Sequence, residues 1–427
     1  MSAELQQTEI GEFPAAWSIG RVDSAFDIQQ GKQVSKKNRD GEHQRPFLRT
    51  KNVFWNRLEL TDLDEMHFSE AEQTRLELQA NDLLVCEGGS IGRTALWNNE
   101  VDGCLYQNHL HRLRAKGKRA DPQFGVYWLW YAFDVAKLYF GRGNVTTIPN
   151  LSQSKLAELP MALPPLPEQK KIAHILSTVQ RAIEAQERII QTTTELKKAL
   201  MHKLFTEGLR NEPQKQTEIG PVPESWEVVR CEDVCETTSV GIVVKPTQYY
   251  VSAGVPALRS QNVRVDRMQM EPMVYISEEA NDGPVAKSKL RTGDVLIVRT
   301  GANLGMSCVL PAELDGCNCI DLLFIRTKPE KLNGSFLSRF INSVEAKKQV
   351  GAGKTGMAQP HFNVGTVKRI FVPLPPLEEQ EVIVSCLEKI DQKHDLADAK
   401  QQALQDLFRT LLHELMTAKT RVHELAV

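Results

Sequence analysis

The chain has 427 residues, of which 41% are hydrophobic and 25% are charged, and its formal net charge is −2. This length and composition predict a globular protein of two or three domains, and the near-zero charge gives no overall indication of nucleic-acid binding. The N-terminus lacks a basic segment followed by an apolar one, and no apolar run approaches the roughly 18 residues of a membrane span, which argues against secretion and membrane insertion. We therefore expect a soluble, cytoplasmic protein without a membrane partner.

The chain contains an internal repeat, and its two copies begin alike. Thr8-Glu-Ile-Gly-Glu-Phe-Pro-Ala-Ala-Trp17 matches Thr217-Glu-Ile-Gly-Pro-Val-Pro-Glu-Ser-Trp226, and Pro46-Phe-Leu-Arg-Thr-Lys-Asn-Val53 matches Pro256-Ala-Leu-Arg-Ser-Gln-Asn-Val263. Between such anchors the two halves differ strongly. The repeat therefore suggests one scaffold that carries two different surfaces, for one task on two targets.

Each half is predicted to be a mixed α and β domain. Residues 82–86 and 294–298 are short apolar runs that lead into glycine-rich turns, which predicts strands. Residues 124–133 and 334–342 are apolar enough to predict buried helices. Each domain has about 160 residues, a normal size for one folding unit.

A long helix is predicted to close each half. Residues 163–204 recur at 374–415 with a constant shift of 211 positions and no gap. Prolines before each helix end the domain, and apolar residues then recur every three or four positions, which is coiled-coil spacing. A helix that only covers its own domain is the alternative, but 35 to 40 residues would reach about 55 Å, more than such a domain needs.

Antiparallel pairing of the two helices would also bring their polar interruptions together. With Ile172 opposite Leu415, Gln186 would face Gln401, and Thr193 would face His394. Buried polar layers of this kind fix the register of a coiled coil at some cost in stability.

These elements predict an α+β fold with a pseudo-two-fold internal repeat, in which two long helices form an antiparallel coiled coil. The predicted segments are a first domain at 1–163, a first long helix at 164–210, a second domain at 211–374 and a second long helix at 375–427.

No catalytic motif is found. Val350-Gly-Ala-Gly-Lys-Thr355 resembles a phosphate-binding loop, but Lys348 stands where its first glycine belongs and the preceding segment is predicted to be helical, so ATP binding is not expected. The sequence has no Asn-Pro-Pro-aromatic motif, metalloprotease motif or hydrolase nucleophile motif. The eight cysteines show no metal-ligand spacing, which favours reduced thiols and no metal site.

Basic and amide side chains cluster in loops at equivalent positions of both halves. Lysine and arginine can neutralise phosphates, asparagine and glutamine can pair with an adenine edge, and glycine-rich turns allow a backbone to approach a sugar-phosphate chain. A run of charge is usually only a solvated face, and the recurrence in both halves is what favours binding. The candidate DNA contacts of the first half are Lys32, Lys36, Lys37, Arg49, Lys51, Asn52, Ser90, Arg93, Asn108, His109, Arg142 and Asn144. Those of the second half are Arg259, Gln261, Asn262, Arg264, Asn303 and Lys354.

The whole chain resembles the specificity subunit of type I restriction-modification systems. The resemblance rests on Leu163-Pro-Pro-Leu-Pro-Glu-Gln169 and Leu374-Pro-Pro-Leu-Glu-Glu-Gln380, each before a long helix, on the tryptophan-containing entries, and on the aspartate-led strand before a glycine turn. That strand begins with Gly293-Asp294 in the second half but with Asn81-Asp82 in the first, for which we expect only a local change of the turn.

The resemblance implies two target-recognition domains that recognise the two parts of a bipartite site on double-stranded DNA. It also implies that the helices hold the domains apart and dock two methyltransferase subunits, which carry S-adenosylmethionine, and that restriction subunits with ATP and Mg join the assembly. The chain itself would be non-catalytic and would hold no cofactor.

With one domain for each half-site, the half-sites would lie about one helical turn, roughly 34 Å, apart, and the helix pair would act as a ruler. Because its net charge is near zero, the isolated chain is expected to bind DNA weakly, with the methyltransferase subunits completing the clamp. The alternative is a coiled-coil structural adaptor that assembles partner proteins without recognising DNA.

Overall fold

The computed structural model describes residues 4–39, 41–139, 151–351 and 363–422. The chain divides into two compact units, one formed by Met1–Glu187 with Ala399–Val427 and the other by Arg188–Asp398. Each unit contains one mixed α and β domain and one part of each long helix. The compact units therefore divide both long helices, whereas the predicted segments keep each helix whole.

The first unit begins with a domain of thirteen short strands among the described residues. The strands are β1 (Leu5–Thr8), β2 (Gly11–Pro14), β3 (Ser18–Arg21), β4 (Phe26–Gln30), β5 (Gln44–Leu48), β6 (Val53–Phe54), β7 (Arg57–Leu58), β8 (Asp64–His67), β9 (Leu83–Cys86), β10 (Thr94–Leu96), β11 (Leu105–Tyr106), β12 (Leu110–Ala115) and β13 (Pro160–Leu163). The helices are α1 (Val22–Ala25), α2 (Lys36–Arg39), α3 (Glu70–Leu76), α4 (Pro122–Trp130), α5 (Gln153–Glu158) and α6 (Leu166–Thr206), which continues into the second unit.

Two sheets organise this first domain. One is antiparallel with the strand order β10-β9-β12-β4, and the other has the order β11-β5-β8, in which β11 and β5 run parallel. All four residues of β9 are buried, as expected for a central strand that is covered on both faces. Helix α4 covers one face with Phe124 and Trp128, which belong to the same core as Trp17.

The second unit repeats this arrangement. Its strands are β14 (Gln214–Thr217), β15 (Gly220–Pro223), β16 (Glu227–Arg230), β17 (Cys235–Val240), β18 (Tyr250–Val251), β19 (Val255–Leu258), β20 (Val263–Arg264), β21 (Arg267–Met268), β22 (Val274–Ile276), β23 (Val295–Val298), β24 (Ser307–Val309), β25 (Asn318–Cys319), β26 (Leu322–Thr327) and β27 (Phe371–Leu374). Its helices are α7 (Glu278–Asp282), α8 (Gly334–Asn342), α9 (Val344–Gly351), α10 (Val364–Lys368) and α11 (Leu377–Met416), which continues into the first unit.

The sheets of the second domain follow the same order of connection. Strands β17-β26-β23-β24 form the antiparallel sheet, and β18-β22-β19-β25 form the mixed one, again with a single parallel pair, β19 with β25. The strands predicted at 82–86 and 294–298 are confirmed as β9 and β23, and the helix predicted at 334–342 is confirmed as α8. The helix predicted at 124–133 is α4 followed by a π-helical turn, Tyr131–Val135.

Both long helices are present and pair antiparallel within each unit. In the first unit, Ile172 and Leu176 near the start of α6 share a core with Leu412 and Leu415 near the end of α11. In the second unit, the end of α6 and the start of α11 share a core in the same way, through Leu204, Phe205, Ile383 and Leu387. The predicted antiparallel pairing is therefore confirmed in each unit by itself.

The polar interruptions of α6 are buried, as a polar layer within the helix pair requires. Gln186 and Thr193 are buried. The Thr193 hydroxyl donates to the carbonyls of Ile189 and Ile190, one helical turn earlier. Among the described residues, no hydrogen bond joins Gln186 to Gln401 or Thr193 to His394, and the facing of these pairs stays a prediction. A hydroxyl that is already satisfied by its own helix needs no partner across the interface.

Candidate nucleic-acid interface

The glutamine of each Leu-Pro-Pro-Leu motif fastens a long helix to its domain. Gln169 accepts a hydrogen bond from the backbone N–H of Asp121 at 2.8 Å and donates to the carbonyls of Arg119 and Pro164. Its side chain is enclosed, since only 1% of the residue is exposed. The amide group thus binds two backbone groups of the loop before α4 and one just before α6, and this makes Gln169 a structural residue.

The second motif is built in the same way. Gln380 is fully buried, accepts from the backbone N–H of Asn333 at 2.8 Å and donates to the carbonyls of Lys331 and Pro375, each at 2.9 Å. Asn333 caps α8 as Asp121 caps α4. The recurrence of the motif therefore has a physical reason, because a single amide side chain fixes the direction in which each long helix leaves its domain.

The glutamate beside each glutamine is held by an arginine that follows the long helix of the other half. In the first unit, Arg421 makes two hydrogen bonds to Glu168 at 2.8 and 3.0 Å, and Trp17 adds a third. In the second unit, Arg210 lies 3.7 Å from Glu379. Arg421 and Arg210 are separated by the same 211 positions as the two helices.

The aspartates at the start of β9 and β23 are also structural. Arg114 donates two hydrogen bonds to Asp82 at 2.7 and 2.6 Å, and Arg326 does the same to Asp294 at 2.9 and 2.7 Å. Both carboxylates have only 1% of their side chain exposed. Paired and enclosed charges of this kind hold the loops before the glycine-rich turns and are unavailable to a ligand.

Two of the asparagines predicted to contact DNA, Asn52 and Asn262, are buried, which corrects that expectation. Asn52 accepts from the backbone N–H of Arg49 at 2.9 Å and donates to two carbonyls of the following loop. Asn262 makes the equivalent three bonds, beginning with the N–H of Arg259 at 2.9 Å. Because each amide is already satisfied, these residues shape the loop that presents their neighbours and do not face a base.

Lys32 is a second correction. Its ammonium group binds Glu72 at 2.6 Å and the carbonyl of His67 at 2.8 Å, and only 9% of its side chain is exposed. Because the ammonium group of Lys32 is paired with Glu72 and is largely buried, it is not available to bind a phosphate. Composition alone counted Lys32 as part of a basic loop, whereas its carboxylate partner comes from a distant helix, α3.

Acidic neighbours also occupy the basic loop of the first domain. Arg49 donates to Asp64 and Lys51 binds Asp62 at 2.7 Å. The hydrogen bond from Arg49 lowers the pKa of Asp64, so this carboxylate stays ionised and continues to offset the arginine. Arg49 and Lys51 are therefore partly neutralised surface cations.

The equivalent loop of the second domain is less neutralised. Arg259 is partly exposed and has no carboxylate partner among the described residues, and its buried Nε makes no hydrogen bond there. Gln261 donates to the Pro272 carbonyl at 3.2 Å, and Arg264 donates to the carbonyl of Val263. This loop offers cationic and amide groups to a ligand.

The remaining candidates are dispersed over the surface of each domain. Lys36 and His109 are exposed, and the partly exposed residues are Ser90, Arg93, Asn108 and Asn303. Arg142, Asn144 and Lys354 lie outside the described residues, as does the side chain of Lys37.

Two further cations that composition did not single out are Arg57 in the first domain and Arg299 in the second. Arg57 and Arg93 lie on the ring of Phe54, each 5.2 Å from its centre. Arg299 follows β23 directly and lies 3.4 Å from Asp321. The equivalent pair in the first domain is Glu87 and His109. In the repeat, Arg299 aligns with Glu87, and this reversal of charge was the sequence signal that could have singled out Arg299.

None of the helices in the described part of the chain combines the length and the hydropathy that a membrane span requires.

Comparison with known proteins identifies a family for both halves. Residues 14–194 and 223–406 each match the type I restriction modification DNA specificity domain. The putative type I restriction enzyme MjaX specificity subunit of Methanocaldococcus jannaschii is 25% identical over 426 residues, covering 98% of this chain and 97% of that protein. The EcoKI specificity subunit of Escherichia coli K12 is 21% identical over 399 residues, covering 89% of this chain and 83% of that protein.

A solved structure has the same fold. The S subunit of a type I restriction-modification system from M. genitalium superposes with a TM-score of 0.57 at 17% sequence identity, over 93% of this chain and 96% of that one.

Proposed function

The chain belongs to the type I restriction modification DNA specificity family, and we propose that it recognises a bipartite DNA site with one domain for each half-site. We assign target recognition to residues 1–163 and 211–374, and spacing to the long helices that follow them. The observation that carries the proposal is the equivalent hydrogen bonding of Gln169 and Gln380. These two glutamines attach two domains with different surfaces to the same kind of long helix.

DNA contacts in the second half-site are assigned to the loop after β19 and to the short strand β20 that follows it. Arg259 and Arg264 can neutralise phosphates or bind guanine, and Gln261 can pair with an adenine edge in the major groove. The buried Asn262 holds this loop in shape from below. Because Arg259 has no carboxylate partner among the described residues, it can bind DNA without first breaking an ion pair.

DNA contacts in the first half-site are assigned to exposed or partly exposed groups in several segments. The proposed contacts are Lys36, Arg49, Lys51, Ser90, Arg93, Asn108 and His109. Arg49 and Lys51 must exchange their carboxylate partners for phosphates, which reduces their net contribution to affinity.

The long helices are proposed to dock two methyltransferase subunits. Leu196 on α6 and Leu407 on α11 occupy equivalent positions of the repeat, and 51% and 45% of these residues are exposed. Large apolar side chains that remain exposed at equivalent positions of two helices suit two copies of one partner. The methyltransferase subunits would carry S-adenosylmethionine, the restriction subunits would use ATP and Mg, and the complex would act in the cytoplasm.

An exchange of one domain tests the function. Residues 20–160 are replaced by the same segment of a relative with another specificity, and methylated adenines are mapped across the genome of a strain that carries the variant. We expect one half-site of the methylated sequence to change while the other half-site stays the same. A structural adaptor would leave the methylated sequence unchanged, and that result would refute the proposal.

A further inference from the structure

An ionic cluster joins the second domain to both long helices. Lys197 on α6 binds Asp266 at 2.8 Å and Asp391 on α11 at 2.6 Å. Arg339 on α8 binds the same two carboxylates, Asp391 at 2.8 Å and Asp266 at 3.5 Å. Asp266 lies in the turn between β20 and β21 and also accepts from the amide of Asn342 at 2.7 Å. Four elements of the second unit therefore meet at one point.

The first unit has uncharged residues at the equivalent positions. Asn56 replaces Asp266, and its amide donates to Gln180, which replaces Asp391, at 2.8 Å. Tyr127 replaces Arg339 and donates to the same Gln180 at 2.9 Å. Phe408 replaces Lys197, and its ring lies 4.8 Å from that of Trp130. The same junction is thus held by amides and aromatic rings in one unit and by charges in the other.

The ionic cluster is balanced and largely enclosed. It contains two cations and two anions, and the exposed fractions of the Asp266, Arg339 and Lys197 side chains are 4%, 7% and 18%. Removing Lys197 would leave two carboxylates facing one guanidinium with little water to solvate the excess charge. A buried charge without its partner is costly, so the carboxylates would move apart or admit water. Either response loosens the turn between β20 and β21 from the helices.

We propose that Lys197 and Asp391 are positioning residues that hold the second domain on the helix pair in one orientation, and thereby restrict the complex to one gap, the number of unspecified base pairs between the two half-sites. The proposal rests on the proposed function. Base contacts remain with the domain loops. Lys197 acts only through Asp266 and Asp391, which link the domain to α6 and α11.

The test measures how strongly the protein discriminates between gaps. The full chain, assembled with the methyltransferase subunits of its own system, methylates duplexes that carry the same half-sites with the native gap or with one base pair more or less. In the variant K197M we expect the preference for the native gap to fall by roughly fivefold to tenfold, in the range of coupling seen for residues of one salt-bridge network. The variant K197R should keep the preference, because it retains the cation. Lys198 is exposed on the same helix, so K198M is the matched control and should behave as the unchanged protein.

A folded K197M protein with the native gap preference would overturn the inference. If K197M does not fold, D391N decides, since Asp391 is 28% exposed and its loss leaves Lys197 bound to Asp266. We expect D391N to weaken gap discrimination in the same direction and by less, and an undiminished preference in D391N would also refute the role. Failure of the proposed function is distinct, because the unchanged protein would then show no dependence on the half-sites at all.

Discussion

Lengthening the paired helices should lengthen the gap. Four residues are inserted in α6 after Thr194 and four in α11 after Lys393. Thr194 precedes Lys197, and Lys393 follows Asp391, so both insertions leave this ion pair intact. The insertion in α11 separates Asp395 from Arg267 of the second domain, but both side chains of that pair are more than half exposed, so its loss costs little. Because the helices run antiparallel within the second unit, both insertions extend the pair at nearly the same level.

The magnitude follows from helix geometry. Four residues add about 6 Å of helix at 1.5 Å each, together with one full turn and about 40°. DNA rises about 3.4 Å per base pair along one strand, so the added length corresponds to roughly two base pairs. We therefore expect both half-sites to stay the same while the gap grows by about two base pairs.

Mapping the methylated adenines of a strain that carries the insertion variant reports half-sites and gap together. The matched control inserts the same four residues after Gly117, an exposed turn position of the first domain, and should leave the gap unchanged. If the helix variant folds and methylates with the original gap, the helix pair does not set the spacing and the ruler interpretation is wrong.

Gln380, Arg259 and Leu407 give three further predictions. Q380A removes three hydrogen bonds from a buried position and should lower the free energy of unfolding by about 1–3 kcal/mol, measured by urea denaturation. R259A should weaken site-specific binding of the assembled complex by about 1–3 kcal/mol in a DNA titration, and more than R49A, whose arginine is already paired with Asp64; equal losses would contradict the role given to the unpaired guanidinium. L407D should reduce the methyltransferase copies bound per chain in light scattering from two to one, and an unchanged stoichiometry would exclude this docking surface.

The two copies of the repeat show which elements of the fold can be predicted from short stretches of sequence. The long helices follow from apolar spacing and from the prolines before them, and β9, β23 and α8 follow from short apolar runs between glycines. Each of these signals depends on neighbours within a few positions, so the sequence alone was enough to place them.

The candidate site was less predictable because a residue type does not reveal its partner. Lys32 and Arg259 are both cations in basic loops, but only Lys32 meets a carboxylate, Glu72, from elsewhere in the chain. Asn52 and Asn262 have the amides that adenine recognition needs, but in the folded protein those amides form hydrogen bonds with backbone groups. Whether a polar group faces solvent is decided only when distant segments pack.

The sequence by itself determined two similar domains and two long helices, because repetition and periodicity are local properties of the chain. Tertiary structure decided how each helix is attached. The glutamines of the repeated motif bind loops about 50 positions away, and Lys197, Asp266 and Asp391 form one cluster although they are far apart in the chain. Such contacts arise from the packing of whole elements, and only the structure therefore showed that the two equivalent junctions are ionic in one unit and neutral in the other.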